Sequence, residues 1–108
     1  MSLQIDKFLG SEVSTTVGTS AVEIFQTPAT FDGKGRTGFL IQNCDETSTT
    51  ILYVGTKNTV SSTRRWYAIL PTDPQPQYVP WGPGTKVWIV ASGTCTYLAQ
   101  EVIAKRHS

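Results

Sequence analysis

The chain has 108 residues, a mass of 11.8 kDa and a formal net charge of +1, with 16% of residues charged and 39% hydrophobic. That length suits one domain and is too short for two independent ones. The balance excludes a disordered chain and lacks the basic bias of a dedicated nucleic-acid binder. No apolar run approaches the ~18 residues of a membrane-spanning helix. Asp6 and Lys7 stand where a secretory signal would carry its apolar stretch, so the expectation is a protein made in the cytoplasm, with no membrane and no nucleic-acid partner.

Residues 1–10 read as an arm, with Leu3, Ile5, Phe8 and Leu9 as scattered apolar residues; Phe8 and Leu9 are candidate contacts for a neighbour. Residues 12–17 alternate, with Val13, Thr15 and Val17 on one face. A turn at Gly18, Thr19 and Ser20 leads into residues 21–26, with Val22 and Ile24 expected inward, so the pair reads as a hairpin. Pro28 ends it, because proline cannot donate to a ladder. Residues 31–35 form a turn cluster around Asp32 and Gly33.

Residues 36–43 are a strand, Phe39 and Ile41 facing one way, Leu40 and Gln42 the other. After a polar loop, residues 50–55 are apolar on both faces, as in a central strand covered on both sides. Residues 56–63 are loop-like, and residues 66–70 form a short strand. Three prolines in residues 71–76 enforce irregular backbone. Residues 77–79 are briefly extended before a Pro/Gly turn at 80–84. Residues 86–92 are a strong strand, Val87, Ile89 and Ala91 opposite Trp88 and Val90, and residues 94–103 are the last long strand. A basic tail occupies residues 105–108.

The 16 Thr, 9 Val and 7 Ile favour pleated, half-buried surfaces, and strong helix formers never gather at helical spacing. About eight strands separated by turn signals predict an all-β fold: a single compact β-sandwich or jelly-roll-like barrel over residues 11–104, preceded by the arm and followed by the tail.

Chemistry is sparse. The single histidine, His107, is next to last, where a general base lacks a fixed geometry. Of the carboxylates only Asp45 and Glu46 are adjacent, and a loop pair of that kind points to water; no glycosidase pair is singled out. Cys44 and Cys95 lack metal-ligand spacing and read as two small buried thiols, although a disulfide is open if their strands meet. Residues 33–38 only superficially resemble a phosphate loop, since a strand rather than a helix follows. No catalytic, cofactor or metal residues are assigned, and the expectation is a protein without enzymatic activity.

Arg64, Arg65, Trp66 and Tyr67 form the most interaction-like segment, because Arg and Trp are enriched at interface hot spots. The plainer reading makes it a strand edge whose Trp66 covers the core. Trp88 reads as core or interface. Trp81 lies in a Pro/Gly turn; with Tyr78 it is a candidate platform for sugar stacking, or else a plug on the end of the sandwich.

From residue 12 to residue 101 the order of signals is TTVGTSAVEI, GRTGFLIQN, TILYVG, TVSST and WGPGTKVWIVASGT. This is similar to small β-sandwich domains of tailed-bacteriophage virion proteins, in which a GRxx(F/L)xIQN strand precedes xYVG and later V(W/Y)IVASG. Residues 64–80 depart from that pattern, being longer and richer in Pro and aromatics. The resemblance implies a virion component on the capsid exterior. A capsid decoration (cement) protein fits a short chain without a shaft better than a head fibre base or a tail module. Its expected partner is the major capsid protein or another virion protein, and its expected state is a homo-oligomer, a trimer first, with arms reaching to neighbours.

Overall fold

Most runs of strand-forming residues become strands, although the turn cluster at 31–35 contributes to a short two-stranded ribbon. In chain order these are β1 (Lys7–Val17), β2 (Val22–Ile24), β3 (Thr30–Phe31), β4 (Lys34–Gly35), β5 (Gly38–Asn43), β6 (Leu52–Gly55), β7 (Tyr67–Ile69), β8 (Gln77–Val79), β9 (Val87–Ala91) and β10 (Cys95–Ala104). The computed structural model describes residues 7–26, 30–31, 34–47, 49–73 and 75–104, and side chains at 13–26, 35–47, 49–73 and 75–103. No helix occurs among the described residues.

Eight strands build two antiparallel sheets, ordered β1-β10-β5-β8 and β2-β9-β6-β7, while β3 and β4 form a small ribbon of their own. The protein is all-β, and the arrangement is that of a β-sandwich. Alternation explains the packing: Phe39 and Ile41 of β5, Leu52 and Val54 of β6, and Ile89 of β9 are fully buried on the facing sides. Each such side chain contributes about 1.5–3 kcal/mol by leaving water. β6 is central, between β9 and β7, as its apolar faces require. Its outer cover is the loop at residues 56–66, which places Val60 against Gly55: a Cβ on Gly55 would lie 2.7 Å from Val60 Cγ2.

Four local expectations change. The pair at residues 12–26 is no hairpin: β1 pairs with β10 and β2 with β9, so the turn at 18–20 carries the chain between sheets. The Ala91 N–H donates to Gly18 O at 2.9 Å and anchors that crossing. Ile24 is buried, but Val22 is 43% exposed, because edge strand β2 leaves it uncovered. The start of the sandwich also moves: Phe8 pairs with Ile103 and Leu9 with Val102, so β1 extends into the predicted arm, with a register shift between Leu9 and Glu12. Residues 1–6 and the tail at 105–108 lie outside the described residues. The fourth change concerns the thiols: Cys95 is buried but Cys44 only half-buried, and both are free.

One feature absent from the sequence reading organises the end of the sandwich. Along β10 the inward positions are Cys95, Tyr97, Ala99 and then Glu101, a carboxylate with no exposed surface. It meets Arg36, whose Nη1 donates to Glu101 Oε2 at 2.9 Å. Arg36 Nε donates to Trp81 O at 3.0 Å and Nη2 to Thr85 O at 2.8 Å. Its guanidinium carbon lies 5.5 Å from the Phe25 ring centroid and 6.0 Å from that of Phe39. Phe25 reaches this position in the left-handed region, φ 56°, a conformation that costs a side-chain-bearing residue about 1–2 kcal/mol.

Candidate functional site

The short edge strands β7 and β8 bound the same side of the sandwich. β7 is tied across to β5, since Asn43 Nδ2 donates to Ile69 O and to Thr50 O, each at 3.0 Å. Asn43 Oδ1 accepts from the Asp45 N–H at 2.9 Å and from the Cys95 thiol at 3.2 Å, so this buried amide is well satisfied. β8 pairs with β5 on the same side, Val79 opposite Phe39.

Aromatic rings close the gap between the two edges. Trp81 meets Tyr67 at 5.8 Å and Phe39 at 6.2 Å between centroids, both edge to face. Trp81 is therefore the plug on the end of the sandwich. Its ring is half-buried against the core, whereas Tyr78 is exposed. Tyr78 instead crosses Gly38, where a Cβ would lie 2.5 Å from the ring, and its hydroxyl donates to Thr37 Oγ1 at 3.4 Å.

Trp66 behaves oppositely. It is 69% exposed and covers no core. Leu70 (42%) and Tyr78 (39%) are also exposed, so three of the four large exposed hydrophobics among the described residues fall between Trp66 and Tyr78. The fourth, Val22, sits on the far edge strand of its sheet.

Arg64 and Arg65 precede Trp66 on a loop made of two successive turns. The Val60 N–H donates to Lys57 O at 3.1 Å; Ser61 and Arg64 exchange backbone N–H···O bonds at 3.1 and 3.3 Å. Arg65 Nε donates to Ser62 O at 3.0 Å, and its guanidinium lies 5.8 Å from the Tyr53 ring centroid. An open cleft of about 350 Å³ lies between Lys57, Val60, Arg64, Arg65 and Trp66.

The eight predicted contact residues thus divide. Arg64, Arg65 and Trp66 are exposed together, Tyr67 and Trp81 pack inward, and Tyr78 lies on β8. Phe8 and Leu9 are on β1, separated from β8 by two strands, and their side chains lie outside the described residues. Trp88 is half-buried on the outer face of its sheet.

Asp45 corrects a different expectation. Its carboxylate does not simply face water: it accepts from the N–H groups of Thr47, Thr49 and Thr50 and from the hydroxyls of Thr47 and Thr50, at 2.6–3.2 Å. The Thr50 hydroxyl and N–H, above all, hold its pKa well below the usual carboxylate range. Glu46 beside it is exposed. Among the described residues no three His, Cys, Asp or Glu side chains gather as metal ligands would.

Sequence reasoning missed Arg36 and Glu101. A usable signal was present: an acidic residue at an inward position of an apolar strand requires a buried cation or donor. No protein family, curated protein or solved structure matches the chain.

Proposed function

We propose that this is a non-enzymatic structural protein of a phage virion, a capsid decoration protein that binds and stabilises the shell through the side bounded by β7 and β8. The observation that carries this reading is the exposure of Trp66 and Leu70 at the two ends of edge strand β7 and of Tyr78 on edge strand β8, with exposed Arg64 and Arg65 directly before Trp66. Aromatics and arginine dominate interface energetics, and a rigid sandwich presents them without a large ordering cost. These residues also fall within residues 64–80, where the chain departs from the virion sandwich pattern, as a protein's own partner contact would. Function of this kind requires buried area across shell subunits and no reacting group.

The partner is the major capsid protein, and the working state is a homo-oligomer, a trimer in the first instance. Light scattering of the purified chain, then co-sedimentation with expanded capsids from the same source, tests this. A trimer that pellets with capsids supports it. A monomer that stays in the supernatant refutes it and favours the alternative, a tail or fibre module that binds host glycan or another virion protein.

A further inference from the structure

The cleft beside Trp66 has a chemistry that the general docking role does not specify. Three cations, Lys57, Arg64 and Arg65, surround it, all exposed. Among the described residues no carboxylate is in salt-bridge reach of any of them, the single ion pair there being Arg36 with Glu101. The whole chain carries only +1, so this is a local excess of positive charge. Val60, which packs on Gly55, and Trp66 supply the apolar part of its lining, beside Thr56 and Thr59.

The cleft is also preformed. Ser61 Oγ accepts from the N–H groups of Thr63 and Arg64 at 3.3 and 3.2 Å, reinforcing the turn that carries both arginines. Arg65 is held by Ser62 O and the Tyr53 ring, with its Nε already committed. The Nη edge of a guanidinium oriented in this way matches a carboxylate, which it can take with two parallel hydrogen bonds. Holding the side chain in place beforehand removes part of the entropy cost of binding.

We propose that this cleft docks an acidic segment of the partner polypeptide, with an Asp or Glu carboxylate on the Arg64 and Arg65 guanidiniums and a neighbouring apolar side chain against Trp66. The inference rests on the docking reading, but not on the partner being a capsid. Charge complementarity selects the acid, and the apolar side chains of Val60 and Trp66 in the lining select a polypeptide. A nucleic acid gains affinity from many phosphate contacts, and three cations supply few.

The test is panning of a random octapeptide library against the immobilised protein, with no capsid present. Selected peptides should be enriched in Asp and Glu next to an apolar residue. Their binding should quench or shift Trp66 fluorescence in a W81F/W88F background. It should weaken at least tenfold in R64E/R65E and, because Arg65 also supports Tyr53, in K57E/R64E, which leaves Arg65 in place. Unfolding curves of each variant confirm that it folds. Selection without acidic enrichment, no selection at all, or equal binding to the charge-reversed variants overturns the proposal. So does tighter binding of a ten-residue oligothymidylate or a heparin hexasaccharide through the same residues. Capsid co-sedimentation is read separately, so failure of one claim is distinguishable from failure of the other.

Discussion

Replacing Glu101 by Leu should destabilise the fold severely, and the size of the effect can be worked from the Arg36 environment. Both side chains are essentially without exposed surface, 1% and 0%. Removing one partner of a buried pair leaves an uncompensated charge and costs about 3–5 kcal/mol. In E101L the guanidinium keeps two carbonyl acceptors, Trp81 O and Thr85 O, and two aromatic faces. The lower end, about 3 kcal/mol, is therefore expected. R36M deprives the Glu101 carboxylate of its cation and both carbonyls of a donor, at about 1 kcal/mol or more for each carbonyl, so about 5 kcal/mol is expected. Against the ~5–15 kcal/mol of an ordinary domain, either loss is a large fraction. At about 4 °C per kcal/mol for a chain near 100 residues, the melting temperature should fall by about 12 °C in E101L and about 20 °C in R36M. R36M/E101L should cost less than the sum by about 2 kcal/mol or more, since neighbours in one network do not add. Urea unfolding followed by Trp fluorescence measures all four proteins. An E101L loss below about 1 kcal/mol, or strictly additive single changes, would refute the reasoning.

Further expectations separate the surface from the core. W66A should leave stability within about 0.5 kcal/mol of the parent while weakening capsid retention, whereas W81A should cost about 2–3 kcal/mol by exposing Phe39 and Tyr67; chemical unfolding and co-sedimentation read the two effects. Asp45 has a folded pKa below its ordinary value of 3.8, so its stabilisation is complete above that value and is lost as pH falls through the folded one. D45N should therefore melt lower than the parent at neutral pH and converge with it in strong acid; parallel curves from neutral to acid would contradict this. Burial raises the Cys95 thiol pKa, so under native conditions a thiol reagent should label Cys44 first, with Cys95 reacting only after unfolding. Equal native labelling rates would show that β10 opens readily.

The strands that alternate strongly were legible in the sequence. β5 and β9 follow from a period of two in Phe, Ile and Val, and the central place of β6 follows from its two apolar faces. Pairing was less legible, because the turn at 18–20 suits both a hairpin and a crossing, and the choice is made by β9 and β10, some 70 residues away. The same holds for the tryptophans. Trp66 and Trp81 both lie beside turns, and only the ring contacts of Trp81 with Phe39 and Tyr67 show which one turns inward. The interaction-like character of residues 64–67 was visible in composition, but the division of that segment, with Trp66 outward and Tyr67 inward, depends on the register of β7 against β6. The cleft was not legible at all, since it requires Lys57 and Val60 to fold back over Gly55.

The side bearing Arg64, Arg65 and Trp66 is the face proposed to attach the protein to a shell. Its most direct test is co-sedimentation of the parent chain, W66A and R64E/R65E with expanded capsids from the same source. The parent should pellet with capsids, and both variants, folded as judged by their melting curves, should remain largely in the supernatant. Equal pelleting of all three, or of none, would contradict it.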